Sequence, residues 1–231
     1  MIKSLDGKIT AFAEKNGEKL WTYQQTEPVL ILHAASTPQF VSHAAIVGFA
    51  NGTLAKLNLT DGNLIWQTPL ANPKGIFSIQ RMIDIDADPV VLNNHVYAAT
   101  YQGRIVALNL ANGEEMWGRD ISSYAGIAVD NNQVYVSDAE SHVWAFDAKT
   151  GDKAWQQTQL AARNITGPVN MGNYIVVGDG EGYLHWLNKT DGHFAERILV
   201  NQSGILATPV VENNILYVVT KDGHLAAYSL A

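Results

Sequence analysis

The stretch Ala145-Phe146-Asp147-Ala148-Lys149-Thr150-Gly151-Asp152-Lys153-Ala154-Trp155 recurs along the chain, and its recurrence decides the fold. With the four residues before it, it aligns position by position as Ser141 to Trp155 with Gly52 to Trp66 and Gly103 to Trp117. Gly7 to Trp21 is a further copy, Gly182 to Glu196 carries Glu196 in the tryptophan place, and Gly223 to Ala231 stops short. The copies open at residues 7, 52, 103, 141, 182 and 223. A period of about 40 to 50 residues suits four short strands and their turns, the blade of a β-propeller.

A second shared unit precedes four of the six copies: Thr37-Pro38, Asp88-Pro89-Val90-Val91, Gly167-Pro168-Val169 and Thr208-Pro209-Val210-Val211. Proline is tolerated at the first residue of a strand, so it marks where each inner strand begins. Asn93-Asn94, Asn131-Asn132 and Asn213-Asn214 follow, residues that accept the left-handed backbone of a tight hairpin. In the third strand both parities are apolar, Ile105 and Ala107 against Val106 and Leu108, which predicts burial on both faces, as between stacked sheets. Asp61-Gly62, Asn112-Gly113, Thr150-Gly151 and Asp191-Gly192 then supply the turn into the outermost strand. The expected fold is all-β: a propeller of tryptophan-docking four-stranded blades, four complete and one partial at each end. Residues 1–231 read as one domain, with repeats at about 7–21, 37–66, 88–117, 126–155, 167–196 and 208–231.

Composition narrows function. A formal charge of -7 and a pI near 5.4 leave no basic surface for phosphates, which argues against nucleic acid and anionic membranes as partners. The chain has no cysteine, so disulfides, thiolate metal sites and a cysteine nucleophile are excluded. The longest apolar run, Val29-Leu30-Ile31-Leu32, is far shorter than the ~20 residues of a membrane helix, and Met1 to Gly7 lacks a signal-peptide apolar run.

Candidate sites compete with structural roles. Trp21, Trp66, Trp117 and Trp155 hold one repeat position and read as blade-to-blade packing, each burying on the order of 200 Å2, rather than as platforms for a quinone or sugar. His142 and His224 share a position filled elsewhere by Lys8, Thr53, Arg104 and Tyr183, which predicts a solvent-facing side chain; His33 and His43 show no zinc-ligand pattern. Asp84-Ile85-Asp86-Ala87-Asp88 resembles a calcium loop only at first, because Pro89 stands where an EF-hand needs glycine and His95 where it needs glutamate. It reads instead as exposed charge or a docking feature. Nucleophile elbow, phosphate loop, dinucleotide fingerprint and zinc-protease motif are all missing, so no enzyme, cofactor or metal is expected.

The repeat is that of the pyrroloquinoline-quinone propeller superfamily, which holds both dehydrogenases and non-enzymatic scaffolds. Longer segments separate them. Arg81-Met82-Ile83-Asp84-Ile85-Asp86-Ala87-Asp88, Gly178-Asp179-Gly180-Glu181-Gly182-Tyr183-Leu184-His185-Trp186 and Lys221-Asp222-Gly223-His224-Leu225 resemble the BamB family of outer-membrane β-barrel assembly lipoproteins, and the likeness runs through essentially the whole chain. The resemblance implies an eight-bladed scaffold at the periplasmic face of the outer membrane, held by a lipid anchor. Its partners would be a POTRA domain of the barrel subunit BamA, other assembly subunits and unfolded outer-membrane proteins. The family's binding connectors fall on Leu30, Leu32 and His33, and on Arg81, Asp84 and Asp86; His33 departs from the family's arginine. Leucine in a connector, rimmed by carboxylates, also reads as an interface anchor without the resemblance. The alternatives are a quinoprotein dehydrogenase-like or ligand-sensing propeller. The uneven ends, outer two strands at the start and inner three at the finish, predict the carboxy-terminal part of a longer protein whose missing strand and lipid-bearing cysteine lie upstream of Met1.

Overall fold

The computed structural model describes residues 1–4, 6–26, 36–70, 85, 87–101, 103–123 and 125–230. Among them every element is a β-strand, and the chain divides into two compact units, Met1–Tyr124 and Ala125–Ala231. The first unit holds a three-stranded sheet, β1(Ile2–Lys3) β2(Lys8–Phe12) β3(Lys19–Gln24). Two four-stranded sheets follow: β4(Gln39–Val41) β5(Ala44–Gly48) β6(Thr53–Asn58) β7(Leu64–Pro69), and β8(Val90–Leu92) β9(His95–Ala99) β10(Arg104–Asn109) β11(Glu115–Asp120). The second unit has β12(Ile127–Val129) β13(Gln133–Ser137) β14(Val143–Asp147) β15(Lys153–Gln157), then β16(Val169–Met171) β17(Tyr174–Gly178) β18(Tyr183–Asn188) β19(Phe194–Leu199). It ends in a three-stranded sheet, β20(Val210–Glu212) β21(Ile215–Val219) β22(Leu225–Ser229). Each sheet pairs its strands in chain order and antiparallel, so the six sheets are the successive blades of a β-propeller, four of them complete. The first blade has one strand more than the two that the repeat predicts, because Ile2 and Lys3 pair with Thr10 and Ile9.

Turn chemistry explains why each blade forms where it does. The inner strands β4, β8, β16 and β20 begin one residue after Pro38, Pro89, Pro168 and Pro209. Asn93, Asn94, Asn213 and Asn214 take φ between 49° and 66° and close their hairpins in the left-handed region. Asn131 and Asn132 do not; there Asp130 Oδ1 accepts the N–H groups of Asn132 and Gln133 at 2.9 Å and builds the turn from a side chain instead. At the outer hairpins Gly62, Gly113, Gly151 and Gly192 have φ of 69° to 74°. In each blade with an outer hairpin the ladder shifts register at this corner, as at Lys56/Leu57 and Ala145/Phe146.

Alternate residues of one strand pack into different cores. Ala45 and Val47 of β5 lie with Ile9, Trp21 and Leu57 between the first and second blades; Ile46 lies with Trp66, Val96 and Leu108 between the second and third. Within the second unit, Tyr135, Val143, Trp155 and Leu187 share one cluster, and Leu184, Trp186, Leu216 and Val218 another. Burial on both faces is what makes these strands nearly uniformly apolar.

The repeat tryptophans join these layers at the rim. Trp21 Nε1 donates to the Leu59 carbonyl at 2.8 Å, Trp66 to Leu110 at 3.0 Å and Trp155 to Lys189 at 2.7 Å. Each indole lies flat on the turn glycine of the following blade: a methyl group on Gly62, Gly113 or Gly192 would stand 2.5 to 2.7 Å from Trp21, Trp66 or Trp155. That glycine therefore serves both the positive φ and the closeness of the ring. Trp117 is equally buried and lies 6.1 Å from the ring of Tyr97.

Candidate functional site

The predicted partner residues Leu30, Leu32 and His33, and Arg81, Asp84 and Asp86, lie outside the described residues. What is described are the roots of the two connectors that carry them, and the roots meet. Asn51 Nδ2 donates to the carbonyl of Thr26 at 3.1 Å, and Leu70 N–H donates to the carbonyl of the adjacent Gly52 at 2.9 Å. Both connectors thus leave the sheets beside one turn, between β5 and β6. Their far ends also join: the Asp88 carboxylate accepts the Thr37 N–H, and fully buried Ile85 presses on Gly48, where an added Cβ would come within 2.5 Å of Ile85 Cγ2 and 3.1 Å of Ser36 Oγ. Ser36 is buried and accepts from Lys3 Nζ at 3.2 Å. Asp88, read from sequence as one more exposed carboxylate, is exposed and also ties one connector to the other.

The second unit shows how the same edge of a blade is built where connector and turn are both described. Asp179 Oδ1 accepts the N–H groups of Glu181 at 3.0 Å and Tyr183 at 2.9 Å, closing the turn between β17 and β18. Its other oxygen meets His185 Nε2 at 2.7 Å and Arg163 Nη2 at 2.6 Å, and Arg163 continues to Glu181 at 2.8 Å. Burial alone raises the Asp179 carboxyl, but the hydrogen bonds from His185, Tyr183 N–H and Arg163 outweigh it and hold the pKa at about 2. Arg163 belongs to the connector before β16, so the ion pair fastens connector to turn. The guanidinium of Arg197 stacks on Tyr183 at 3.7 Å.

The preceding blade repeats the plan with other partners. Asp138 Oδ1 accepts from the N–H groups of Glu140 and His142, and Oδ2 accepts from Trp144 Nε1 at 2.7 Å, where the next blade has His185. His142 is not solvent-facing: its side chain is 17% exposed, and Nδ1 lies 3.0 Å from Asp138 Oδ2. His224, at the same repeat position, is exposed. Ser141 takes φ 70° where other copies have glycine, and its hydroxyl accepts the Asn164 N–H at 3.0 Å. These polar turns went unread in the sequence; the aligned Asp138 and Asp179, each six residues before a ring N–H donor, were the available signal.

The sequence pattern of the outer membrane protein assembly factor BamB matches residues 1–157 and 158–231. The chain belongs to the BamB family. It is 37% identical over 229 residues to outer membrane protein assembly factor BamB of Yersinia pestis, covering 99% of this chain and 58% of that one. The BamB of Alkalilimnicola ehrlichii is 38% identical over 203 residues, 88% of this chain and 53% of its own length. The crystal structure of BamB from Moraxella catarrhalis superposes with a TM-score of 0.91 at 26% identity, over 99% of this chain and 71% of that chain. The chain therefore spans a little over half the length of these BamB relatives. The segment Gly178 to Trp186 is explained by its contacts: Gly178 admits Ile205, Gly182 faces the Asn201 carbonyl, and Asp179 and His185 hold the turn.

Proposed function

We propose that this BamB-family chain is a non-enzymatic scaffold in the assembly of outer-membrane β-barrel proteins, acting at the periplasmic face of the outer membrane. In this reading connectors 27–36 and 78–88 together dock a POTRA domain of BamA. Leu30 and Leu32 serve as apolar anchors, and Asp84 and Asp86, with Arg81 and His33 beside them, select a basic patch on the partner. The common root of the two connectors at Asn51-Gly52 carries the proposal, because two connectors that leave one turn can serve one partner surface. The repeat supplies a second support. Asp86 follows buried Ile85 as Leu206 follows buried Ile205, and Leu206 is 64% exposed. Reading 1–231 as one propeller domain belongs to the same proposal, since the repeat runs in one register from Gly103 to Trp155.

Co-purification with BamA tests it. The double substitution Leu30→Ser and Leu32→Ser should weaken capture by a POTRA fragment at least tenfold, and Asp84→Lys with Asp86→Lys by a similar factor that shrinks at high salt. The thermal midpoint should not move. Capture equal to that of the unaltered chain in both variants would sink the proposal.

A further inference from the structure

We propose that Asp138, Glu140 and His142, in the turn between β13 and β14, form a binding site for a divalent transition-metal ion of the zinc class. His142 Nδ1 stands 3.0 Å from Asp138 Oδ2 and 3.6 Å from Glu140 Oε2, and the three ligand atoms lie within 4.8 Å of one another. Ligands at about 2.0 to 2.2 Å from one zinc ion lie roughly 3.3 to 3.6 Å apart in a tetrahedral shell. The His142–Glu140 distance falls at the upper end of that range, and the His142–Asp138 distance is a few tenths of an ångström below it. The Glu140 side chain, 81% exposed, is free to swing toward the Asp138 carboxylate.

The site is oriented before any ion arrives. Backbone N–H groups of Glu140 and His142 fix one oxygen of Asp138 at 2.9 and 2.8 Å. Trp144 Nε1 donates to the other oxygen, the kind of outer-shell bond that aims a ligating carboxylate. Trp144 is itself held, stacked on Phe146 with an interplanar angle of 3°.

The next blade gives independent support. The same turn there places Asp179 and Glu181 where Asp138 and Glu140 stand, and a cation does sit between those carboxylates: the Arg163 guanidinium, 2.6 Å from one and 2.8 Å from the other. Tyr183 replaces His142 in that blade. One blade thus brings its cation from a connector, while the other adds an imidazole to the same carboxylate pair. The sixth blade has Thr220 in place of the first carboxylate, and its Asp222 takes neutral donors from Asn201 and Ser203. One nitrogen and two carboxylate oxygens suit zinc, nickel or cobalt, whereas calcium asks for six to eight oxygens. The connector rests on this turn through Ala162 N–H to the Glu140 carbonyl and Asn164 N–H to Ser141 Oγ. A bound ion would stiffen that seat as Arg163 stiffens the next one.

Calorimetric titration of the chelator-treated chain with zinc chloride decides the matter. One site is expected, weakened at least tenfold in His142→Ala and several-fold in Glu140→Gln, and unchanged in His193→Ala, which removes an exposed histidine paired with Asp191. Glu140→Gln alters an exposed side chain and keeps the test valid if His142→Ala fails to fold. Zinc binding of equal strength in the unaltered chain and in the variants that fold would overturn the site, as would tighter binding of calcium than of zinc.

Discussion

The joints on either side of the fifth blade are built alike at their inner strands and differently at the rim. Between the fourth and fifth blades Trp155 lies on Gly192, bonds the Lys189 carbonyl, and is flanked by Gln157 Nε2 donating to the Gly192 carbonyl at 2.9 Å. Between the fifth and sixth blades Glu196 stands in the tryptophan place. The rim there opens into a cleft of about 590 Å3 lined by Trp186, Tyr228, Leu230 and Glu196. Leu184, Trp186, Leu216 and Val218 are nonetheless as buried in this joint as Val143 and Leu187 in the other. Apolar packing of the middle strands, Trp186 included, joins blades without the repeat tryptophan, which closes only the wedge that opens as the blades splay outward. Connector tethers differ in the same way. The fourth-to-fifth joint has the ion pair Arg163–Asp179, whereas at the next joint Asp222 is held well below its usual range by Thr220, Asn201 and Ser203, all neutral donors.

The largest way to break this contrast is Trp155→Ala. It removes a buried indole and should cost about 3 to 5 kcal/mol in denaturant unfolding. A loss below about 1 kcal/mol would mean that the rim contributes little at either joint. Next comes acid. Because the folded Asp179 carboxyl sits near 2 against 3.8 unfolded, its contribution is complete above about pH 4 and fades as the pH falls through 2. That difference corresponds to about 2 kcal/mol. Asp179→Asn should flatten the acid limb of the stability curve, and an unchanged limb would remove the ion pair from the account. The smallest effect is expected from Glu196→Trp, a gain under about 1 kcal/mol, because no outer-hairpin glycine follows β22 among the described residues to receive the ring. A gain comparable to the Trp155 loss would show that an indole needs no such seat.

Much of this was legible in the chain. Copies of Gly-x-x-x-Trp, at 17–21, 62–66, 113–117 and 151–155, mark the outer hairpin, and the prolines mark the inner strands, because positive φ, a missing N–H and a buried ring are local demands that few residues meet. The polar turns were not legible. Asp138 and Asp179 look like ordinary loop carboxylates until Trp144 and His185 are placed six residues on and across a hairpin, and His142 looked solvent-facing because its neighbours in the alignment vary. Asn131-Asn132 resembled the other asparagine pairs, yet the carboxylate of Asp130 settled a different backbone.

Sequence by itself determined the blade, its strand order and the place of its tryptophan, since each rests on residues close in the chain and on a pattern repeated often enough to average out exceptions. Only the tertiary structure decided which polar side chains meet: Asn51 with Thr26, Asp88 with Thr37, Arg163 with Asp179 and Glu181. Those partners lie 16 to 51 residues apart and differ from blade to blade. Their pairing follows from how neighbouring blades stack, which no local preference encodes.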